Sequence, residues 1–124
     1  MISEKIDVFV EGIENYFKVS CGTPARVGTP FLTSNADVYI DDYTGIIGIA
    51  GNYSGSVFFS APERMLMRIL RDLGLMCTKE ANLLDLVGEI SNILSGNARR
   101  SFGSKFNILP PSSCLLYTSD AADE

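Results

Sequence analysis

The chain has 124 residues and a net charge of −5, and its hydrophobic share of 46% and charged share of 20% are ordinary for a globular protein. A chain of this length is about one domain, large enough to bury a core without a metal or a disulfide. The acidic balance argues against a basic surface for nucleic acid or anionic lipid. Because the chain contains no histidine, Ser–His and Cys–His nucleophile pairs are excluded.

The N-terminal segment and the cysteines indicate a cytoplasmic protein. Residues 1–7 include acidic residues where a signal peptide is basic and then apolar. No stretch approaches the roughly 18 unbroken apolar residues of a membrane span. Cys21, Cys77 and Cys114 are widely spaced and form no CxxC motif, which is typical of reduced, partly buried thiols. We therefore expect the cytoplasm, with no membrane contact.

The first half of the chain predicts one helix followed by strands. Apolar residues at helical spacing predict a helix over residues 3–19, which Gly22 helps to end. A short strand over residues 25–32 follows, and Pro30 places it at a sheet edge. Short runs rich in Ile, Val, Phe and Tyr predict further strands, with residues 51–55 as a hairpin turn between the last two. These runs are Val38–Ile40, Gly45–Ala50 and Ser56–Ser60.

The second half predicts two helices and a final strand. A helix begins at Pro62, which suits a first helical position, and runs to about Leu73. The longest periodic segment begins at residue 79 or 80 and ends at Gly103. A strand is predicted over residues 105–109.

The end of the chain does not read as the end of a domain. Residues 114–124 resemble translated sequencing-adapter read-through. We therefore divide the chain into one domain over residues 1–113 and a non-native tail over residues 114–124. On this interpretation the natural domain continues by one or two more strands.

One side of the helix predicted over residues 83–102 carries a narrow polar row. Asp85, Glu89, Asn92 and Gly96 are spaced four, three and four residues apart. At about 100° per residue they lie within about 60° of one another. The apolar positions lie on the opposite side of the helix: Leu83, Val87, Ile90, Leu94 and Ala98.

Two glycines flank this row. Gly88 and Gly96 each cost a helix interior about 1 kcal/mol relative to alanine. Either the close approach of another molecule or tight packing between helices would explain such a cost. On pattern alone, a polar row on an amphipathic helix is most often a solvated face.

The spacing Asp85-x-x-x-Glu89-x-x-Asn92, with its surroundings over residues 87–98, resembles the signature helix of the CheC/CheX/FliY phosphatases. The chain carries the motif once, which favours the CheX type, since CheC-type members carry it twice. The resemblance covers nearly all of residues 1–112 and implies an α+β fold, mainly an antiparallel sheet packed with helices. Four further segments are similar to the early strand, central hairpin, following helix and late strands of that family: residues 29–32, 43–57, 62–65 and 105–108.

The resemblance implies a chemotaxis phosphatase that hydrolyses the phosphoryl-aspartate of a CheY-like response regulator. In that role Asn92 orients the attacking water and Glu89 pairs with a lysine of the regulator. Asp85 and Gly96 belong to the same partner contact, with Asp85 near its edge. The regulator supplies the magnesium ion, so we expect no metal or other cofactor of the chain's own.

The resemblance also implies a homodimer formed through sheet edges, without indicating which strand pairs.

Two alternatives to catalysis stay open. One is a non-catalytic module that binds a regulator or a flagellar switch component, and the other is a truncated, inactive fragment. The intact pair of Glu89 and Asn92 favours catalysis over the module, since a pure scaffold has no need of both.

Overall fold

The computed structural model describes residues 2–52, 54–75, 79–103 and 106–115. In these ranges three α-helices accompany a four-stranded antiparallel sheet, so the predicted α+β class is confirmed. Among the described residues, none of the helices combines the length and the hydrophobicity of a membrane span. The helices are α1 (Ile2–Tyr16), α2 (Glu63–Asp72) and α3 (Glu80–Phe102). The strands are β1 (Tyr43–Gly51), β2 (Gly55–Ala61), β3 (Phe106–Ile108) and β4 (Ser112–Leu115).

Strand β1 lies at the centre of the sheet. Along one edge it pairs with β2, from Tyr43 opposite Ala61 to Ile49 opposite Gly55. Its other edge is divided, because β4 pairs with the start of β1 and β3 pairs with its end. The sheet is therefore bordered by β2 on one side and by β3 and β4 on the other.

The two strands predicted over residues 25–32 and Val38–Ile40 are wrong, since both segments are irregular in the structure. Pro30 has no backbone N–H to donate to a ladder. Part of the first segment instead lies against α1 and β2, where Ala25 and Val27 line a cavity with Phe9 and other apolar side chains. High β-propensity reflects a fit to a half-buried strand surface, whereas Phe31, Leu32 and Tyr39 in these segments are largely exposed.

The other predicted helices and strands are confirmed, with small shifts at their ends. After α1 the chain makes one π-helical turn over Phe17–Cys21, and Gly22 then ends it in the left-handed conformation at φ 69°. Four predicted features include residues outside the described ranges: the hairpin turn with Tyr53, the thiol of Cys77, the strand start at Lys105, and residues 116–124 of the predicted tail.

Strand β4 was not predicted. Cys114 pairs with Thr44, and Leu115 pairs with Tyr43. The domain boundary expected after residue 113 therefore falls inside a strand of the sheet. That residues 114–124 are non-native stays a prediction.

Helix α3 lies directly on β1 through a contact between small residues. A Cβ added to Gly45 would lie only 1.8 Å from Ser91 Oγ and 3.3 Å from Val87 Cγ1, so only glycine permits this approach. The apolar side predicted for the helix is buried around this contact: Leu83, Val87, Ile90, Leu94 and Ala98. The polar row on the opposite side is thereby turned towards solvent.

Helix α1 also packs on α3, and it places one polar group in the core. Gly12 lies so close to α3 that a Cβ added to it would be 2.9 Å from Leu94 Cδ2. One turn further, Tyr16 is 4% exposed, and its hydroxyl has no hydrogen-bond partner among the described residues. Burial first, and then the negative charges of Cys21 and Glu89, raise the pKa of Tyr16 to about 12.

Replacing Gly45 with alanine is expected to destabilise the fold by roughly 1–3 kcal/mol, because the new methyl group overpacks the contact with Ser91. Adding Ser91→Ala should recover part of this loss, since it removes the atom that the methyl group would meet first. Urea denaturation measures both changes. The control is Gly55→Ala, where an added Cβ meets no atom within 4 Å. Equal losses at the two glycines would contradict the packing account.

Tyr16→Phe is expected to flatten the dependence of stability on alkaline pH. The folded state holds the phenol proton more tightly than the unfolded chain, because its pKa is about 12 against an ordinary 10.0. The contribution of Tyr16 to the free energy of unfolding is therefore fully present below pH 10 and is lost as the pH rises towards 12. Denaturation at a series of pH values should show a steeper fall for the wild type than for the variant. Parallel curves would show that Tyr16 does not titrate differently in the two states.

Candidate functional site

The predicted row lies on the solvent face of α3. Asp85, Glu89 and Asn92 are exposed, and the helix that carries them is continuous from Glu80 to Phe102. Two carboxylates and a carboxamide are thus held within about two turns of one regular element. Their roles in binding and catalysis stay predictions.

These three side chains border an open groove of about 490 Å³ between α3 and β4. Gly96, one turn beyond Asn92, is partly buried and does not line this groove. The structure therefore brings three of the four predicted residues together at one surface and leaves Gly96 beside it. The lining residues are Leu84, Asp85, Gly88, Glu89, Asn92, Ile93 and Ser113.

Ser113 is the one lining residue that α3 does not supply, and the helical pattern could not reveal it. It pairs with Gly45 across β1 and β4. Directly opposite residues of an antiparallel pair point to the same face of the sheet, and Gly45 faces α3. Ser113 accordingly faces α3 as well, with its Oγ 3.7 Å from where a Cβ of Gly88 would lie. No sequence signal marks it, because its orientation follows from strand pairing alone.

Asp85 and Glu89 also border a second cavity, of about 250 Å³, between α3 and the end of α2. Its other walls are mostly apolar and include Leu70 and Leu86. The two carboxylates therefore stand on a ridge with an open groove on one side and a smaller cavity on the other. Negative charge on such a ridge favours the approach of a cationic group.

Two side-chain hydrogen bonds lie at the C-terminal end of α3, outside the groove. Arg99 donates a hydrogen bond from Nε to the carbonyl oxygen of Ile108 in β3, at 3.1 Å. Arg100 donates to the side-chain oxygen of Asn97. The Arg99 bond joins α3 to β3 at the sheet border and helps to hold the exposed row in place, whereas the Arg100 bond lies within α3.

The chemistry open to the groove is positional rather than nucleophilic. The Asn92 carboxamide has both donor and acceptor atoms, and the carboxylates accept hydrogen bonds or pair with cations. Ser113 supplies a hydroxyl, yet the chain has no histidine to activate it. Such a set can orient a water molecule or a partner's cation, and it contains no Ser–His pair for covalent catalysis.

A family model identifies the family of the chain, and solved structures share its fold. A family model described as chemotaxis phosphatase CheX matches residues 43–117, which is more than half of the chain and includes α3 and β4. No curated protein sequence matches the chain significantly. The chemotaxis protein CheX from Vibrio vulnificus is similar in structure, with a TM-score of 0.77 at 23% identity over 93% of this chain and 81% of that one.

Two further structures share the fold. A chemotaxis protein CheX from Desulfovibrio desulfuricans has a TM-score of 0.76 at 24% identity, over 91% of this chain and 78% of that one. A CheX–CheY–BeF₃–Mg²⁺ complex from Borrelia burgdorferi has a TM-score of 0.65 at 20% identity, over 89% of this chain and 75% of that one. Since the family model spans the helix that carries the exposed row and the strand that faces it, the chain belongs to the CheX family of chemotaxis phosphatases.

Proposed function

We propose that this chain dephosphorylates a phosphorylated CheY-like response regulator by hydrolysing its phosphoryl-aspartate. The observation that carries the proposal is the exposed row of Asp85, Glu89 and Asn92 on one unbroken helix beside an open groove. Membership of the CheX family supports the reaction class. The Borrelia burgdorferi relative, a complex of CheX with CheY, supports the choice of partner.

Catalysis of this reaction depends mainly on the positioning of the reactants. An acyl phosphate already has a good leaving group, so a helper protein needs to supply little covalent chemistry. Asn92 enters the regulator's active site, and its carboxamide holds a water molecule in line with the phosphorus. The water oxygen bonds to phosphorus while the bond to the aspartate oxygen breaks, which leaves the aspartate as a carboxylate and both water protons on the released inorganic phosphate. Ordering the water in this way is worth about 10²-fold in rate, or about 2.7 kcal/mol.

Glu89 and Asp85 guide the docking. Glu89 lies one turn before Asn92 and forms an ion pair with a lysine of the regulator, which sets the register of the complex. Asp85 extends the negative surface to the edge of the contact, and Gly96 lies at its other end. The proposal assigns the magnesium ion to the regulator and places both proteins in the cytoplasm, in chemotaxis or another two-component pathway.

Asn92→Ala is expected to abolish the acceleration of phosphate release while leaving the far-UV dichroism unchanged. The measurement is phosphate release from a phosphorylated receiver domain with catalytic amounts of this protein. Asn15→Ala is the matched control, because it makes the same change at an exposed position of another helix, α1, outside both the groove and the second cavity. Full activity in Asn92→Ala would rule out the role given to Asn92. Binding without turnover by the wild type would favour the non-catalytic module.

We also propose a homodimer formed through a sheet edge, and β2 is the candidate strand. Among the described residues it is the outermost strand on its side of the sheet, and Phe58 on its face is 45% exposed. Light scattering is expected to give twice the mass of the chain, and Phe58→Lys is expected to shift the protein towards monomer. A monomeric wild type at the highest concentration tested would contradict the dimer. If Phe58→Lys leaves the dimer intact, the dimer contact lies instead at the sheet edge formed by β3 and β4.

A further inference from the structure

Gly88 lies in the interior of α3, yet packing within the described residues does not require glycine there. A Cβ added to it would make only one contact within 4 Å, an ordinary one of 3.7 Å with Ser113 Oγ. Gly45 differs sharply, since a Cβ there would lie 1.8 Å from Ser91 Oγ. Glycine destabilises a helix interior relative to alanine. The space in front of Gly88 is therefore open to another molecule, and tight packing within the chain does not explain the residue.

The charged side chains around this space are all negative. The groove that contains Gly88 is lined by the carboxylates of Asp85 and Glu89, the amide of Asn92 and the hydroxyl of Ser113. No cationic side chain is among its lining residues in the described part of the chain. A cleft lined by carboxylates attracts a cationic partner and disfavours an acidic one.

We propose that Gly88 and Ser113 form two walls of a docking groove that receives a lysine-bearing surface loop of the phosphorylated regulator. This inference rests on the proposed function and adds to it the residues that set affinity. The backbone of the loop passes over Gly88, which has no side chain to block it, and the lysine reaches Glu89. Ser113 forms a hydrogen bond with the backbone of the loop from the side of β4. Neither residue touches the phosphoryl group.

The first test is Gly88→Ala, for which stability and binding are expected to move in opposite directions. Alanine favours the helix and makes no clash, so the melting temperature should rise. The methyl group obstructs the loop, so the dissociation constant for the regulator should rise roughly tenfold. The probe is a panel of CheY-like receiver domains activated with beryllofluoride and Mg²⁺, and calorimetry measures the binding.

The second test places a positive charge in the groove. Ser113→Lys is expected to raise KM for the phosphorylated regulator about tenfold or more, with kcat nearly unchanged, and to weaken the dependence of binding on salt. Ser112→Lys is the matched control, because adjacent residues of a strand face opposite sides and both serines are exposed. Ser113→Ala, which removes only the hydroxyl, is expected to raise KM about threefold.

The outcomes separate this inference from the proposed function. Wild-type affinity in both Gly88→Ala and Ser113→Lys would overturn the groove, even if Asn92→Ala still abolished turnover. Equal losses in Ser112→Lys and Ser113→Lys would also overturn it, since a general charge effect would then be the cause. If the wild type neither bound nor dephosphorylated any receiver domain, the proposed function would fall and the groove with it.

Discussion

The site depends on the close packing of α3 against β1. Gly45 lets Ser91 approach the strand backbone, and the apolar side chains around it are nearly completely buried. Each buried Leu, Ile or Val is worth roughly 1.5–3 kcal/mol. Rotating α3 to bury its polar row would expose several of them and desolvate two carboxylates. The orientation of Glu89 and Asn92 is thus a consequence of core packing on the other side of the same helix.

Two glycines near the site have opposite explanations. Gly45 is required by the fold, because any side chain there would displace α3 from the sheet. Gly88 is not required by the fold, and the room in front of it is directed at solvent. The first glycine sets where the helix lies, and the second leaves its backbone accessible. A helix surface that exposes polar side chains beside bare backbone suits a partner that must approach the helix backbone closely.

The absence of histidine is compatible with this chemistry. The acyl phosphate of a regulator needs an ordered water more than it needs a strong base, and an exposed amide on a regular helix provides order at low entropic cost. In the proposed mechanism the surrounding carboxylates serve recognition, and Arg99 helps to fix the helix end to β3. The proposed water-orienting role gives the amide beside the carboxylates a use that recognition by charge alone does not.

The sequence by itself determined α3, its buried and polar sides, and the grouping of Asp85, Glu89 and Asn92. This was possible because a helix is built from local hydrogen bonds, so spacing along the chain gives position around the axis. Only the tertiary structure decided that residues 25–32 and Val38–Ile40 stay out of the sheet, that β4 joins it, and that Ser113 faces Gly88. Strand pairing joins residues that are far apart in the chain, and local propensity does not say which edge is free to accept them.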